Sequence, residues 1–169
     1  MAGAKPPFED LYRDYLNRIY AYVRAQVGAA AEAEDVTAQA FMNAYRAYDR
    51  FQPLAETPSA WLFRIARNAA LDHHRRAQVQ ARVGRALAAE PEPSADPAAL
   101  AEERIRYRDL MAIVATLPER QREVVSLRHA GGFSFREVGE LMGCTEDAAK
   151  MLHHRALRAL RARLAESVP

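Results

Sequence analysis

Three prolines, Pro91, Pro93 and Pro97, fall within seven residues of a chain that otherwise favours helix. Proline removes a backbone donor and disfavours helix on its N-terminal side. The stretch RVGRALAAEPEPSADPAA, residues 82–99, therefore reads as a linker or tether, with helix fraying into it from both ends. It parts residues 1–81 from residues 100–169. The chain has 169 residues in all, enough for two small domains, and half of them are apolar. Glycine is scarce, with 7 in the whole chain, and alanine is abundant. No stretch alternates apolar and polar residues as a half-buried strand would. The expected fold class is all-α: two small helical domains, the second a four-helix domain containing a helix-turn-helix.

Periodicity places the helices. Phe8, Tyr12, Tyr15, Ile19, Val23 and Val27 recur at three- and four-residue steps and predict a first helix that ends at Gly28. A second is expected from about Glu32 to Arg50, with Val36, Phe41, Ala44, Tyr48 and Phe51 as its apolar positions. The segment FQPLAETPS breaks the pattern with two prolines. A third helix is expected from Ser59, as N-cap, to about Ala81, with Leu62, Ile65, Ala66 and Ala69 on one side. Beyond the tether, Leu100, Glu103, Tyr107, Leu110, Val114 and Leu117 share a stripe. Pro118 restarts the chain, and Gly131 and Gly132 close a short helix.

The segment FSFREVGELMGCTEDAAKMLHHRALRAL, residues 133–160, has the marks of a helix-turn-helix. Gly139 is the small residue where two helices cross closely, and Gly143, four positions on, tolerates a turn with positive φ. Val138, Met142, Ala149 and Leu152 are expected on the buried faces, and Thr145 as N-cap of the second helix. The exposed residues of its first half are Glu146, Asp147, Lys150, Met151 and His154, followed by Arg155, Arg158, Arg161 and Arg163. From Lys150 to Arg163 there are five cations and no acid, a pattern suited to phosphate contact. Glu146 and Asp147 repel phosphate, although a carboxylate accepts from a cytosine amine. A plain helical hairpin with a solvated basic face remains the alternative.

A second basic surface lies in WLFRIARNAALDHHRRAQVQAR, with Arg64, Arg67, Arg75, Arg76 and Arg82 against Asp72 alone. Beside the long loop from Gln52 to Ser59, it could hold single-stranded nucleic acid. Trp61, Leu62 and Phe63 read as core. On the second helix, Asp35, Gln39 and Asn43 recur at four-residue steps and form either a solvated stripe or a protein-docking face.

Whole-chain charge decides little, because the formal net charge is only +2. Cys144 is the one cysteine, so an intramolecular disulfide and a thiolate-rich metal site are excluded, and its expected role is packing. His73 and His74 are neighbours on different helix faces, and no metal site is expected from them. The N-terminus lacks the basic start and apolar run of a signal peptide, and no window is apolar enough to span a membrane. A cytoplasmic protein is expected, without membrane insertion.

Taken together these residues resemble the bacterial RNA polymerase sigma factors, in the small extracytoplasmic-function group of the sigma-70 family. The resemblance is carried by AEDVTAQAFMNAYRAYDRF (33–51), AWLFRIARNAALDHHRR (60–76) and LPERQREVVSLRHAGGFSFREVGELMGCTEDAAKMLHHRALRALRARL (117–164). It covers nearly the whole chain except the linker and the termini. It implies a first domain that docks on the clamp of core polymerase through Asp35, Gln39, Phe41 and Asn43. The same domain would read and open the promoter −10 element with the Gln52–Ser59 loop and Arg64, Arg67, Asn68, Asp72, Arg75 and Arg76. It implies a second domain, at the polymerase flap, that reads the −35 element through Arg136, Thr145, Glu146, Lys150, Met151, His154, Arg155 and Arg158. It further implies control by an anti-sigma factor, a monomer when free, no cofactor, no bound metal, no catalytic chemistry and no further domain. Two departures stand out. Ala38 occupies a position where many members have glutamine. Many members also read Gly-Thr-Val-Lys-Ser-Arg from position 147, whereas here only Lys150 holds.

Three other readings remain at the level of residues. A response-regulator transcription factor shares the REVVSL…EVGELMG pattern, but its other half would be a receiver with strands. A helical protein-binding inhibitor without DNA binding would suit the acidic pair Glu146 and Asp147. An enzyme would have to use His73, His74, His153 and His154, which diverge in pairs on their helices.

Overall fold

The computed structural model describes residues 3–83 and 98–167. Among them every regular element is helical, as the periodicity predicts. Helix α1, Phe8–Val27, ends where Gly28 adopts φ 82°, and its amide bonds back to the Arg24 carbonyl. Only glycine takes that conformation without strain. Helix α2, Ala30–Ala47, tightens into a 3-10 turn over Tyr48–Arg50. It therefore starts two residues earlier, and ends three residues earlier, than expected.

Helix α3 spans Pro58–Arg82, and its cap is Thr57, not Ser59. The Thr57 hydroxyl accepts from the Ala60 amide, and Pro58 fills the first helical position, where its missing N–H costs nothing. Helix α4 covers Ala98–Ala115, so the ends of the expected linker, Arg82 and residues 98–99, are helical, and residues 84–97, where the rest of that expectation falls, lie outside the described residues. Helices α5 (Glu119–His129), α6 (Phe135–Met142) and α7 (Glu146–Ser167) complete the chain.

Helices α1, α2 and α3 pack on one another around Ile19, Tyr22, Val23, Val36, Ala40, Ala44, Trp61, Phe63 and Ala66, each at most 6% exposed. Trp61 stacks on Phe51, with ring centroids 4.6 Å apart, which is the core role its neighbours predicted. In the second half, Val124, Leu127, Val138, Met142 and Ala149 are buried. The expected stripe on α4 is only partly used: Val114 and Leu117 are buried, whereas Tyr107 and Leu110 are exposed. Periodicity marks which positions share a face but does not supply the element that covers it.

The two helical units are in contact. Phe63 of α3 meets Phe133 edge-to-face at 5.1 Å, and α1 runs along α5. Arg18 of α1 donates to the Ala130 carbonyl at 3.3 Å and to the Gly131 carbonyl.

Candidate nucleic-acid interface

Local sequence rules build the helix-turn-helix. Ser134 caps α6, accepting from the Glu137 amide while the Glu137 carboxylate accepts from the Ser134 amide. This reciprocal box fixes the start of the helix. Gly139 sits where the chain returns: a Cβ there would lie 2.6 Å from the Cys144 carbonyl oxygen. Gly143 has φ 69° and ψ 37°, and its amide bonds to the Gly139 carbonyl. The Thr145 hydroxyl then accepts from the Ala148 amide and caps α7. Gly139, Gly143 and Thr145 take the roles their spacing predicted. Cys144 is half-buried against the core.

Beyond this turn α7 buries Ala149 and Ala156. Thr145, Glu146, Asp147, Lys150, Met151, His154, Arg155 and Arg158 are all exposed, as is Arg136 on α6. Glu146 lies 3.5 Å from Lys150, and Arg136 lies 3.5 Å from Glu140. Both pairs are solvated and weak, so a polyanion can displace either acid from its cation.

Phe135, His129 and His153 form a cluster beneath the recognition helix that the sequence pattern did not reveal. The two histidine Nε2 atoms are 3.3 Å apart, in hydrogen-bond contact, and Phe135 meets His153 edge-on. Arg128 lies over the Phe135 ring at 4.5 Å. Burial, then the neighbouring His129, Arg128 and His154, lower the His153 pKa below 6.5. In the seam between the units, burial, then Arg122 and His73, likewise lower that of His74, although a hydrogen bond to the Gln26 backbone and the charge of Glu119 oppose the shift. A histidine whose folded pKa is depressed binds fewer protons folded than unfolded. Stability is therefore full above pH about 6.5 and is lost as pH falls through the lowered values. Thermal melts of the whole chain at pH about 7.5 and about 5.5 should show the lower midpoint at acid pH. His153→Asn should flatten part of that slope; an unchanged slope in both His153→Asn and His74→Asn would remove the histidines as its cause.

On α3, Arg64, Asn68, Asp72, Arg75 and Arg76 face solvent. Arg64 pairs with Glu56 of the preceding loop, and Asp72 lies 3.5 Å from Arg75. The loop is a turn in which the Ala55 amide bonds to the Gln52 carbonyl at 3.0 Å, and Leu54 at its tip is 83% exposed. Trp61 and Phe63 are buried, so this surface presents guanidinium groups without a stacking platform from those two rings. Arg67 departs from the set. It points into the seam and pairs with Glu123 of α5. Helix spacing put it near Arg64 and Asn68, but a partner 56 residues away decides its direction. His73 lies 3.1 Å from Glu32 of α2, an acid the local sequence could not place beside it. Among the described residues no group of three or more His, Cys, Asp or Glu is placed to hold a metal ion.

Helix α2 exposes Asp35 and Gln39, and Gln39 donates to Asn43 at 2.9 Å. Phe41, grouped with them by resemblance, is 6% exposed and packs edge-on against Tyr12 at 4.9 Å. It supports the face from below. Beside it lie the exposed side chains Tyr12, Met42 and Tyr45. Among the described residues no helix is long and apolar enough to cross a membrane.

Comparison with known proteins matches segments in both halves of the chain. Residues 11–79 match the Sigma-70 region 2 family, and residues 107–160 match Sigma-70, region 4. The chain is 37% identical to the ECF RNA polymerase sigma factor BldN of Streptomyces coelicolor, over 94% of this chain but 61% of that protein. It is 33% identical to the RNA polymerase sigma factor CarQ of Myxococcus xanthus, over 97% of this chain and 92% of that one. Its fold resembles that of the sigma factor RpoE of Bartonella quintana, solved in complex with the anti-sigma factor NepR. That match has a TM-score of 0.75 at 24% identity and covers 94% of this chain and 96% of that one. Helix α3 falls inside the region 2 match, apart from its last residues, and the helix-turn-helix inside the region 4 match, and the chain belongs to the extracytoplasmic-function group of the sigma-70 family.

Proposed function

We propose that this chain binds core RNA polymerase and directs promoter-specific initiation of transcription, held in check by an anti-sigma factor. The observation that carries this reading is the pairing of two different basic surfaces, on α3 and α7, within the region 2 and region 4 segments of one chain. Residues 1–81 form the polymerase-docking and −10 unit, residues 82–99 the tether and residues 100–169 the −35 unit. Exposed Asp35 and Gln39, with Asn43, meet the clamp, and Phe41 holds their helix in place. Arg64, Arg67, Asn68, Asp72, Arg75 and Arg76 serve the −10 element. Arg136, Thr145, Glu146, Lys150, Met151, His154, Arg155 and Arg158 serve the −35 element, in a unit docked at the flap. Like sigma factors generally, the chain acts without catalysing a reaction of its own, and it works in the cytoplasm.

The test is run-off transcription by purified core polymerase on genomic fragments, with and without the chain. Discrete new transcripts are expected; none, at any salt, would sink the reading. Asp35→Arg probes the docking face separately. An exposed reversal changes stability by less than about 0.5 kcal/mol. Co-elution with core polymerase should nonetheless weaken, while direct binding to DNA stays as it was. Unchanged co-elution would move the docking face elsewhere.

A further inference from the structure

His129 closes α5, and His153 lies on α7. Their Nε2 atoms are 3.3 Å apart, while the ring centroids are 5.5 Å apart. The two nitrogens thus lie on the facing edges of the rings. That separation is long for a hydrogen bond, whose optimum is about 2.9–3.0 Å. It is the separation that two imidazoles take on one metal ion. A tetrahedral ion with metal–nitrogen bonds of about 2.0–2.1 Å sets its nitrogens about 3.3–3.4 Å apart. His129 is exposed and His153 half-buried, so solvent reaches the gap. Two nitrogens leave two positions to water, which makes such a site weak and exchangeable.

The surroundings hold the two rings in place. Phe135 meets His153 edge-on at 5.1 Å, and burial of Leu127 and Ala149 fixes the helices on either side. Arg128 precedes His129, and its charge opposes a second cation nearby. It is engaged elsewhere, donating to the Phe133 carbonyl at 2.8 Å and lying over the Phe135 ring at 4.5 Å. The other adjacent histidines are not arranged in this way. His73 Nε2 faces Glu32 at 3.1 Å, and His74 Nε2 is buried. Metal binding at His129 and His153 needs only a change of tautomer. The proton held on one Nε2 passes through water to Nδ1 of the same ring, both Nε2 lone pairs become free, and no net proton is released.

We propose that His129 and His153 form a site for a divalent transition-metal ion, which ties the end of α5 to α7 and holds the recognition helix in its present position. Imidazole ligands select Zn²⁺, Ni²⁺ or Cu²⁺ over Mg²⁺, which demands oxygen ligands. The link joins residues 24 apart in the chain, with α6 and its turn between them. An ion there also adds positive charge near the exposed Lys150, Arg155 and Arg158 of the same helix. Both effects favour an anionic duplex. The site rests on the geometry of the two rings; its effect on DNA rests on the function proposed above.

The test uses the whole chain without an affinity tag, so that no further histidines are added. At about ten times its dissociation constant, Zn²⁺ should raise the melting midpoint by about 3–6 °C. Cu²⁺ should bind more tightly, and Mg²⁺ at the same concentration should leave the midpoint unmoved. With an equivalent of Cu²⁺, paramagnetic resonance should show hyperfine splitting from a pair of imidazole nitrogens. His129→Asn and His153→Asn should each abolish the rise, and His73→Asn should keep it. His129 is exposed, so its variant leaves the core intact and covers the case in which His153→Asn fails to fold. Zn²⁺ should also tighten binding of the wild type, but not of His129→Asn, to a fluorescein-labelled duplex of mixed sequence by about fivefold. No rise in the wild type up to millimolar Zn²⁺, the same rise with Mg²⁺, or a wild-type rise in both asparagine variants would overturn the site. A rise without tighter binding to the duplex would overturn its tie to DNA. Absence of run-off transcripts from a chain that still holds Cu²⁺ on paired imidazoles would instead strike the proposed function and leave the site standing.

Discussion

Replacing Arg155 and Arg158 together by glutamate should abolish promoter-dependent transcription while the chain still co-elutes with core polymerase. Both side chains are exposed on α7, beyond the turn fixed by Gly143 and the Thr145 cap. Neither is required by the fold, since the helix buries Ala149 and Ala156 on its other face. Each guanidinium–phosphate hydrogen bond contributes roughly 1.5–3 kcal/mol. Losing two of them lowers affinity by at least about a hundredfold, before the new repulsion is counted. The dependence of binding on salt should also become shallower, by about one unit of the log–log slope for each lost phosphate contact. Two measurements check this: run-off transcription, and DNA binding across a salt series. If core binding fails and DNA binding survives, the two surfaces are assigned the wrong way round. Glu146→Gln and Asp147→Asn should change which upstream sequence is preferred more than they change the yield, because these acids are exposed in the first turn of α7, the end proposed to read bases.

How much of this was legible before the fold depended on sequence distance. Helix α1 could be read from Phe8 to Val27, because its core positions repeat within one element. The helix-turn-helix could be read because Gly139, Gly143 and Thr145 are local requirements of a sharp turn. Ser134 and Glu137 carry a capping box whose S-x-x-E spacing is equally local and stands as a further signal in the sequence. The N-cap of α3 shows how close such rules can come to competing: Thr57 and Ser59 are both good caps, and Pro58 between them favours the earlier one. What the sequence could not show depends on partners far away in the chain. Arg67 looked like its neighbours until Glu123, 56 residues on, was placed beside it. His153 looked like half of a divergent histidine pair, but His129 and Phe135 meet it from two other segments. The α4 stripe failed for the same reason in reverse: Tyr107 and Leu110 are spaced for burial, and among the described residues no element covers them fully. Phe41 belonged to a docking face by resemblance, yet Tyr12 of α1 covers it.

Gly139 and Gly143 are both essential to the turn, but for different reasons, and substitutions should separate them. At Gly139 the obstacle is space. An added Cβ would lie 2.6 Å from the Cys144 carbonyl oxygen and 3.3 Å from the Thr145 carbonyl carbon, so backbone must move to admit it. At Gly143 space is open, with no atom within 4 Å of an added Cβ, and the obstacle is φ 69° alone. Alanine at 139 would gain up to about 1 kcal/mol of helix propensity, but overpacking against an immobile neighbour costs about 1–3 kcal/mol. Valine keeps the clash, adds bulk beside it and forfeits much of that propensity. Alanine at 143 costs the left-handed penalty of about 1–2 kcal/mol, and asparagine less, since it tolerates that conformation. The expected order of destabilisation therefore puts Gly139→Val first and Gly143→Asn last, with the two alanine variants between them. In a chain of this size each kcal/mol lowers the midpoint of a thermal melt by about 2–4 °C. Gly139→Val should fall furthest, and should also lose −35-dependent transcription in the fraction that remains folded, because α6 and α7 can no longer cross at their present separation. If Gly139→Val proved no more damaging than Gly143→Ala, the close approach at Gly139 would not be what sets the angle between α6 and α7.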